Sequence, residues 1–432
     1  MTPDEIVRAD RAHVWRPYTP HDVHAREGSL VVVGASGARL HTADGRRLLD
    51  GNSSWWVAAL GHGHPRLVAR LAAQARTLDH APLAGATHEN AALLAEELCA
   101  IAPPGLTRVF YTDNGSGAIE VAIKACIQGQ AQRGQPRRTR FVALDGAFHG
   151  DTLGAAALGG VEVFRRPFAG ILFDCVRAAS PDERGFARAF ASIEEILERE
   201  GDTIAGVFVE PVVQGAAGMR VYDPSLLVGL RRACDRAGAW LVFDEVFTGY
   251  GRTGPMWASE HAGVTADLVC VGKVFSSIVP MAATLVTDEV YRAFGGGRAE
   301  ALYYGHTFCG NPIGAALARE VLAIYREEDV LGRARGSAAV LGARFAEMAA
   351  IPGVARARSL GMIGALDLAD DAGYTGDLGW RVYAEGLARG AYLRPLGDTV
   401  YLCPPLVIER EELDELLAIF EASVRAALGA PR

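Results

Sequence analysis

The chain has 432 residues, half of them apolar and 22% charged, with a formal net charge of −8. That length exceeds a single small domain and suffices to bury a large core. The acidic balance leaves no basic surplus to neutralise phosphates, which argues against a nucleic-acid partner. Apolar runs such as residues 240–243 are too short to cross a bilayer, which argues against a membrane role.

Residues 1–13 are charged and lack an apolar stretch, so no secretory leader is expected. Residues 28–50 read as an antiparallel hairpin, with residues 31–33 and 40–41 near a turn at Ala43-Asp44-Gly45. The pair His62-Gly63-His64-Pro65 reads as a turn without nearby carboxylates or thiols, and no metal site is expected there. From about 90 to 320, short apolar runs at 107–111, 140–144, 204–210, 240–244 and 268–271 read as buried strands. Helical patterns at 118–128, 193–200 and 225–237 lie between them. Such alternation predicts a largely parallel sheet with helices on both faces. Beyond about 330, helices and short strands follow, including 399–402, closing on a helix at 411–428. Both ends are expected to pack together as a smaller α+β domain built from 1–65 and 330–432, against a large domain at 66–329. The seven cysteines, scattered from Cys99 to Cys403 with no C-x-x-C pair, suit reduced thiols in the cytoplasm.

Only two of the 43 basic residues are lysines, Lys124 and Lys273. An arginine-rich composition explains most of that bias, yet imine chemistry is a task for which a guanidinium cannot serve. Lys124 lies within a helical pattern, where a surface or packing role is expected. Lys273 ends the strand-like run Leu268-Val269-Cys270-Val271 after Gly272. A Walker A reading fails there, because Val274 follows instead of Ser or Thr. Desolvation at such a strand end makes a lysine both nucleophile and base.

Three further segments have chemistry to offer. Thr112-Asp113-Asn114-Gly115-Ser116-Gly117 joins a strand to a helix, a ready anion site or simply a capped turn. Asp244-Glu245 sits at the carboxyl end of a buried strand, where α/β sheets place ligands, although a cap or buried salt bridge explains it equally. In Ala147-Phe148-His149-Gly150-Asp151-Thr152, the aromatic ring offers either a stacking face or core packing.

Together these segments resemble the class III (ω-) aminotransferases, which use pyridoxal 5′-phosphate (PLP) and share fold type I. The most specific stretch runs Asp244-Glu245-Val246 … Thr248-Gly249-Tyr250-Gly251-Arg252-Thr253-Gly254, then Lys273 and Gly305-His306-Thr307. By that resemblance Lys273 is the Schiff-base lysine and Asp244 the partner of the pyridine nitrogen. Gly115 and Ser116 hold the phosphate, Phe148 and Val246 cover the two ring faces, and His306 and Thr307 reach the cofactor site. Thr307 would come from the second subunit of a homodimer. Tyr18, Trp55, Phe148, Lys273, Gly305 and Arg394 would meet small-molecule substrates. The segments Trp15-Arg16-Pro17-Tyr18-Thr19, Ser53-Ser54-Trp55-Trp56 and Leu393-Arg394-Pro395 match members of the class that act on a long aliphatic keto acid. Such a substrate needs an aromatic trough and an arginine for its carboxylate. Three positions depart from that pattern. The loop after Lys273 has no glycine, Phe148 replaces a more usual tyrosine, and Phe247 replaces a small residue or glutamine.

Overall fold

A computed structural model describes residues 1–27, 29–181, 187–368 and 373–429. At its centre are β1 (Leu106–Thr112), β2 (Arg140–Leu144), β3 (Cys175–Ala178), β4 (Ile204–Val209), β5 (Trp240–Asp244), β6 (Leu268–Val271) and β7 (Ala282–Thr287). They form one sheet in the order β1-β7-β6-β5-β4-β2-β3, with β7 alone antiparallel to its neighbours. The inner strands β4, β5 and β6 are buried along their whole length. Helices cover both faces, which is why these strands read as continuous apolar runs and not as alternating ones.

The expected α/β architecture with a mostly parallel sheet is therefore present, with two strands more than the sequence suggested. β3 is a short edge strand carrying Arg177, and β7 is a buried run in which two alanines and two threonines interrupt the larger apolar side chains. The anion-site helix starts at Gly115 instead of Ala118 and runs to Gln132, capped by Asn114 Oδ1 on the Gly117 amide at 2.8 Å.

The N-terminal hairpin needs correction. Val32–Ser36, Arg39–Thr42 and Arg47–Asp50 form a three-stranded meander. Its first turn falls at Gly37, and the expected Ala43-Asp44-Gly45 turn links the second strand to the third. Ala391–Tyr392 extends this sheet parallel to Arg47–Asp50. A separate antiparallel sheet comprises Val354–Leu360, Ile363–Leu368 and Thr399–Leu402, and the long C-terminal helix spans Arg410–Gly429. No described helix is long and apolar enough to cross a membrane.

Because β1, β2, β4, β5 and β6 run the same way, the loops that follow them converge at one end of the sheet. Those loops carry Asn114–Ser116, Phe148–Asp151, Glu210, Asp244–Val246 and Lys273. Parallel α/β sheets place their ligands in such a crevice.

Candidate active site

Lys273 follows Gly272 off the tip of β6 and adopts a left-handed backbone, φ 53°. Such strain in a lysine persists only where the surroundings over-determine it. Its Nζ lies 4.9 Å from the Trp56 ring and 5.9 Å from that of Phe247. Among the described residues it has no hydrogen-bond or ion-pair partner. Desolvation lowers the pKa of this amine, with Asp244 and Glu210 opposing that shift. A lysine in this setting is far easier to deprotonate than one in water.

Asp244 ends β5 on the neighbouring strand. One carboxylate oxygen faces His149 Nδ1 at 2.7 Å and the other accepts from the Val246 amide at 3.1 Å. His149 is buried, and its Nε2 has no partner among the described residues. Glu245 points the other way: it accepts from the Ala258 and Ser259 amides and from Thr248 Oγ1. Burial pushes its pKa up to about 7. Of the acidic pair, only Asp244 therefore faces the crevice.

The turn before Gly115 is closely fitted. A Cβ on Gly115 would fall 2.6 Å from Val246 Cγ1, and one on Gly150, at φ +126°, would overlap Ser116 Oγ. Backbone amides at the helix start, Ser116 Oγ and Val246 thus share one small space beside Lys273 and Asp244. His306 Nε2 lies 3.5 Å from Asp113 Oδ1 at the edge of this turn. Gly305 and Thr307 are exposed. The segment before them is pinned by Lys124, whose Nζ donates to the Tyr303 carbonyl at 3.0 Å, so the second lysine has a packing role.

On the open side, Ser53, Ser54, Trp55 and Trp56 all have positive φ, between 45° and 74°, and form one left-handed turn. Four consecutive non-glycine residues there are costly and need external anchors. The anchors are buried: the Asn52 carbonyl accepts from the Trp56 amide at 2.9 Å, and Ser53 Oγ donates to the Cys403 carbonyl at 2.7 Å. Asp50 accepts from Ser54 Oγ at 2.8 Å and pairs with His62 Nε2 at 2.9 Å. His64 Nε2 in turn lies 3.6 Å from Glu328. The expectation that these histidines have no carboxylates nearby is thus corrected, although each meets a different one.

The left-handed turn sends its two tryptophans to different tasks. Trp56 is buried under Lys273, its ring 4.5 Å from that of Phe247 and tilted 49° to it, and its Nε1 donates to Tyr401 at 3.0 Å. Trp55 lines a cavity of about 1400 Å³ shared with Tyr18, Phe164, Tyr374, Trp380 and Arg394. The Arg394 guanidinium stacks on Trp55 at 4.7 Å and on Trp380 at 5.7 Å, with no carboxylate partner among the described residues. Asn52 Oδ1 accepts from its backbone amide at 2.7 Å. Tyr18 hydrogen-bonds Asp151 and meets Trp55 edge-on at 5.6 Å, and Phe148 meets Phe164 at 5.5 Å. Tyr18, Trp55 and Arg394, far apart in sequence, therefore share one cavity.

Sequence reasoning missed His149 behind Asp244, the Trp56–Phe247 platform, and Glu210. It also missed Arg252, which is buried and donates to the Pro404 carbonyl at 2.7 Å. A strand ending in Glu210-Pro211 was the one available signal for Glu210.

The residues fit PLP. A free, desolvated amine, a carboxylate held by a histidine, and a glycine-lined helix start have the chemistry to take an aldehyde, a pyridine nitrogen and a phosphate respectively. On this sheet, that donor set defines a PLP enzyme of fold type I. Residues 21–424 match the model of the class-III aminotransferases, and the chain belongs to that family. It is 41% identical to the adenosylmethionine-8-amino-7-oxononanoate aminotransferase of Synechococcus elongatus, over 94% of this chain and 97% of the relative. The structure of the enzyme so described from Methanocaldococcus jannaschii superposes with a TM-score of 0.94 at 29% identity, covering 98% of this chain and 99% of that one. An ω-transaminase from Pseudomonas jessenii in complex with PMP gives 0.92 at 26% identity, covering 98% of each chain.

Proposed function

We propose that this chain aminates the keto carbon of 8-amino-7-oxononanoate to give 7,8-diaminononanoate in biotin biosynthesis, with S-adenosylmethionine as amino donor. The observation that carries the reading is Arg394. Its guanidinium, without a carboxylate partner among the described residues, lies over the Trp55 ring in an aromatic cavity, with Trp56, the next residue, under Lys273. A carboxylate on a long aliphatic chain would meet the arginine while its keto carbon approaches the amine. The names of the relatives support the same substrate.

In this reading Lys273 binds PLP, Asp244 keeps the pyridine nitrogen protonated, and Gly115 and Ser116 take the phosphate. Phe148 and Val246 cover the ring faces and His306 borders the phosphate turn. Bound PLP supplies an electron sink and a temporary carrier for the amino group. Lys273 Nζ, its pKa lowered by desolvation, moves the proton between the donor carbon and the cofactor. Tyr18, Trp55 and Phe148 exclude water and orient the chain of the substrate. Gly305 and Thr307 complete the site from the partner subunit of a homodimer, for which the exposed Tyr303 and Phe308 beside them provide apolar surface. Residues 66–329 form the large domain, and 1–65 with 330–432 the small one. All seven cysteines are free, in keeping with work in the cytoplasm.

The test is single-turnover amination by the protein loaded with pyridoxamine phosphate, followed by the return of PLP absorbance. Rapid conversion of 8-amino-7-oxononanoate is expected. If this substrate fails while other keto acids or aldehydes are aminated, the assignment gives way to a general ω-transaminase. A donor screen then compares S-adenosylmethionine with lysine.

A further inference from the structure

Glu210 is a buried carboxylate at the tip of β4, with no cationic side chain in ion-pair contact among the described residues. Its two oxygens are used by backbone alone. Oε1 accepts from the Phe148 amide and Oε2 from the Gly215 amide, both at 2.9 Å. Neither residue belongs to a helix or strand. Phe148 is the ring read above as one aromatic wall of the cofactor site. Gly215 is the floor beneath the other: a Cβ there would fall 2.8 Å from Phe247 Cδ1, and Phe247 packs against Trp56 under Lys273.

We propose that Glu210 is a positioning residue for the reaction: a single carboxylate that holds the walls on both sides of Lys273 at a fixed separation. This rests on the reading of Lys273 and Phe148 as cofactor residues. The geometry argues for position over charge. A carboxylate accepts from two N–H groups aimed at it from different loops, whereas an amide of the same shape presents one acceptor and one donor. A shorter carboxylate keeps the charge but cannot span both amides. The burial is costly, since desolvation pushes the pKa of this acid up to about 7. The titratable groups in its field are His149, Asp244, Lys273 and Tyr222, whose hydroxyl donates to the Glu210 carbonyl at 2.5 Å.

The experiment compares the wild-type holoenzyme with Glu210→Gln and Glu210→Asp, each assayed at saturating PLP. The circular dichroism of the bound cofactor and kcat are both expressed per bound PLP. Both variants are expected to lose at least half the cofactor dichroism and at least 10-fold in kcat. Loss in Glu210→Gln with wild-type values in Glu210→Asp would replace positioning by charge and overturn the proposal. Wild-type dichroism and kcat per bound PLP in both variants, whatever their melting temperatures, would show a structural role only and overturn it too. Hydrogen exchange in the wild-type holoenzyme covers variants that fail to fold. The Phe148 and Gly215 amides should be protected like strand amides, and exchange at free-loop rates would refute the clamp. A wild-type chain that binds no PLP at Lys273 would instead refute the underlying reading, and the two failures are thus distinct.

Discussion

Replacing Arg394 by alanine tests how the cavity recognises its substrate. The guanidinium is partly buried between Trp55 and Trp380, and among the described residues no carboxylate neutralises it. Its charge is therefore available to a ligand. A hydrogen bond to a charged group contributes about 1.5–3 kcal/mol. At 1.4 kcal/mol per factor of ten, its loss lowers kcat/KM for 8-amino-7-oxononanoate by about 10- to 150-fold. The effect should fall mainly on KM, because the contact is made equally in ground and transition states. Arg394→Lys should be intermediate, since it keeps the charge and loses the planar fork and stacking. The assay follows each half-reaction separately, with donor and PLP in one and acceptor and pyridoxamine phosphate in the other, alongside thermal melting. The acceptor half-reaction should lose more than the donor half-reaction, with little change in Tm. Equal losses in both, tracking a fall in Tm, would show that Arg394 only braces the fold and would refute the reasoning.

Borohydride reduction of the PLP-loaded protein followed by peptide mapping should label Lys273, and label on Lys124 would refute the assignment. Asp244→Asn should fold and bind PLP but slow proton transfer by at least 100-fold in stopped-flow absorbance, as the pyridine nitrogen loses its counter-charge. Gly150→Ala should weaken PLP affinity by at least 10-fold in a fluorescence titration, because the new methyl displaces Ser116 and the backbone there is at φ +126°. Glu245 gives a pH prediction. Its folded pKa of about 7 lies above the ordinary 4.5, so its stabilising contribution is full below about pH 4.5 and is lost as pH rises through 7. Relative to Glu245→Gln, the wild type should lose about 3 kcal/mol of unfolding free energy across that window. Parallel stability curves for the two proteins would show that burial does not shift this acid.

Much of the fold was legible because burial on both faces leaves an unbroken apolar run. β2, β5 and β6 appear in the sequence with the bounds they have in the molecule. β3 was not legible because an edge strand is only partly buried, and β7 was not because, although buried, its sequence Ala282-Ala283-Thr284-Leu285-Val286-Thr287 breaks the run of large apolar side chains. The site was legible where one segment contains its own reason. Lys273 is one of two lysines and ends a strand, and Asp244 ends the next strand in the sheet. The Ser53-Ser54-Trp55-Trp56 segment announced aromatic residues but not the left-handed turn that divides them. That conformation is imposed by Asp50 and Asn52 just before the segment together with His62, Tyr401 and Cys403 further away.

The contacts that escaped the sequence are of one kind. Asp244 with His149, Glu210 with Phe148, and Asn52 with Arg394 each join loops that follow different strands or lie at opposite ends of the chain. A parallel sheet gathers such loops by geometry and not by sequence proximity, so periodicity cannot reveal their pairing. The same arrangement explains how the site accommodates the Phe247 ring. Gly215 removes the side chain that would collide with that ring, and Trp56 covers its face. If so, Phe247→Ala should leave a hole between Trp56 and Gly215 that a bulkier donor can enter. A donor screen on that variant should show gain for larger amines and loss for the preferred donor. An unchanged donor profile would mean that the Phe247 ring only fills core space.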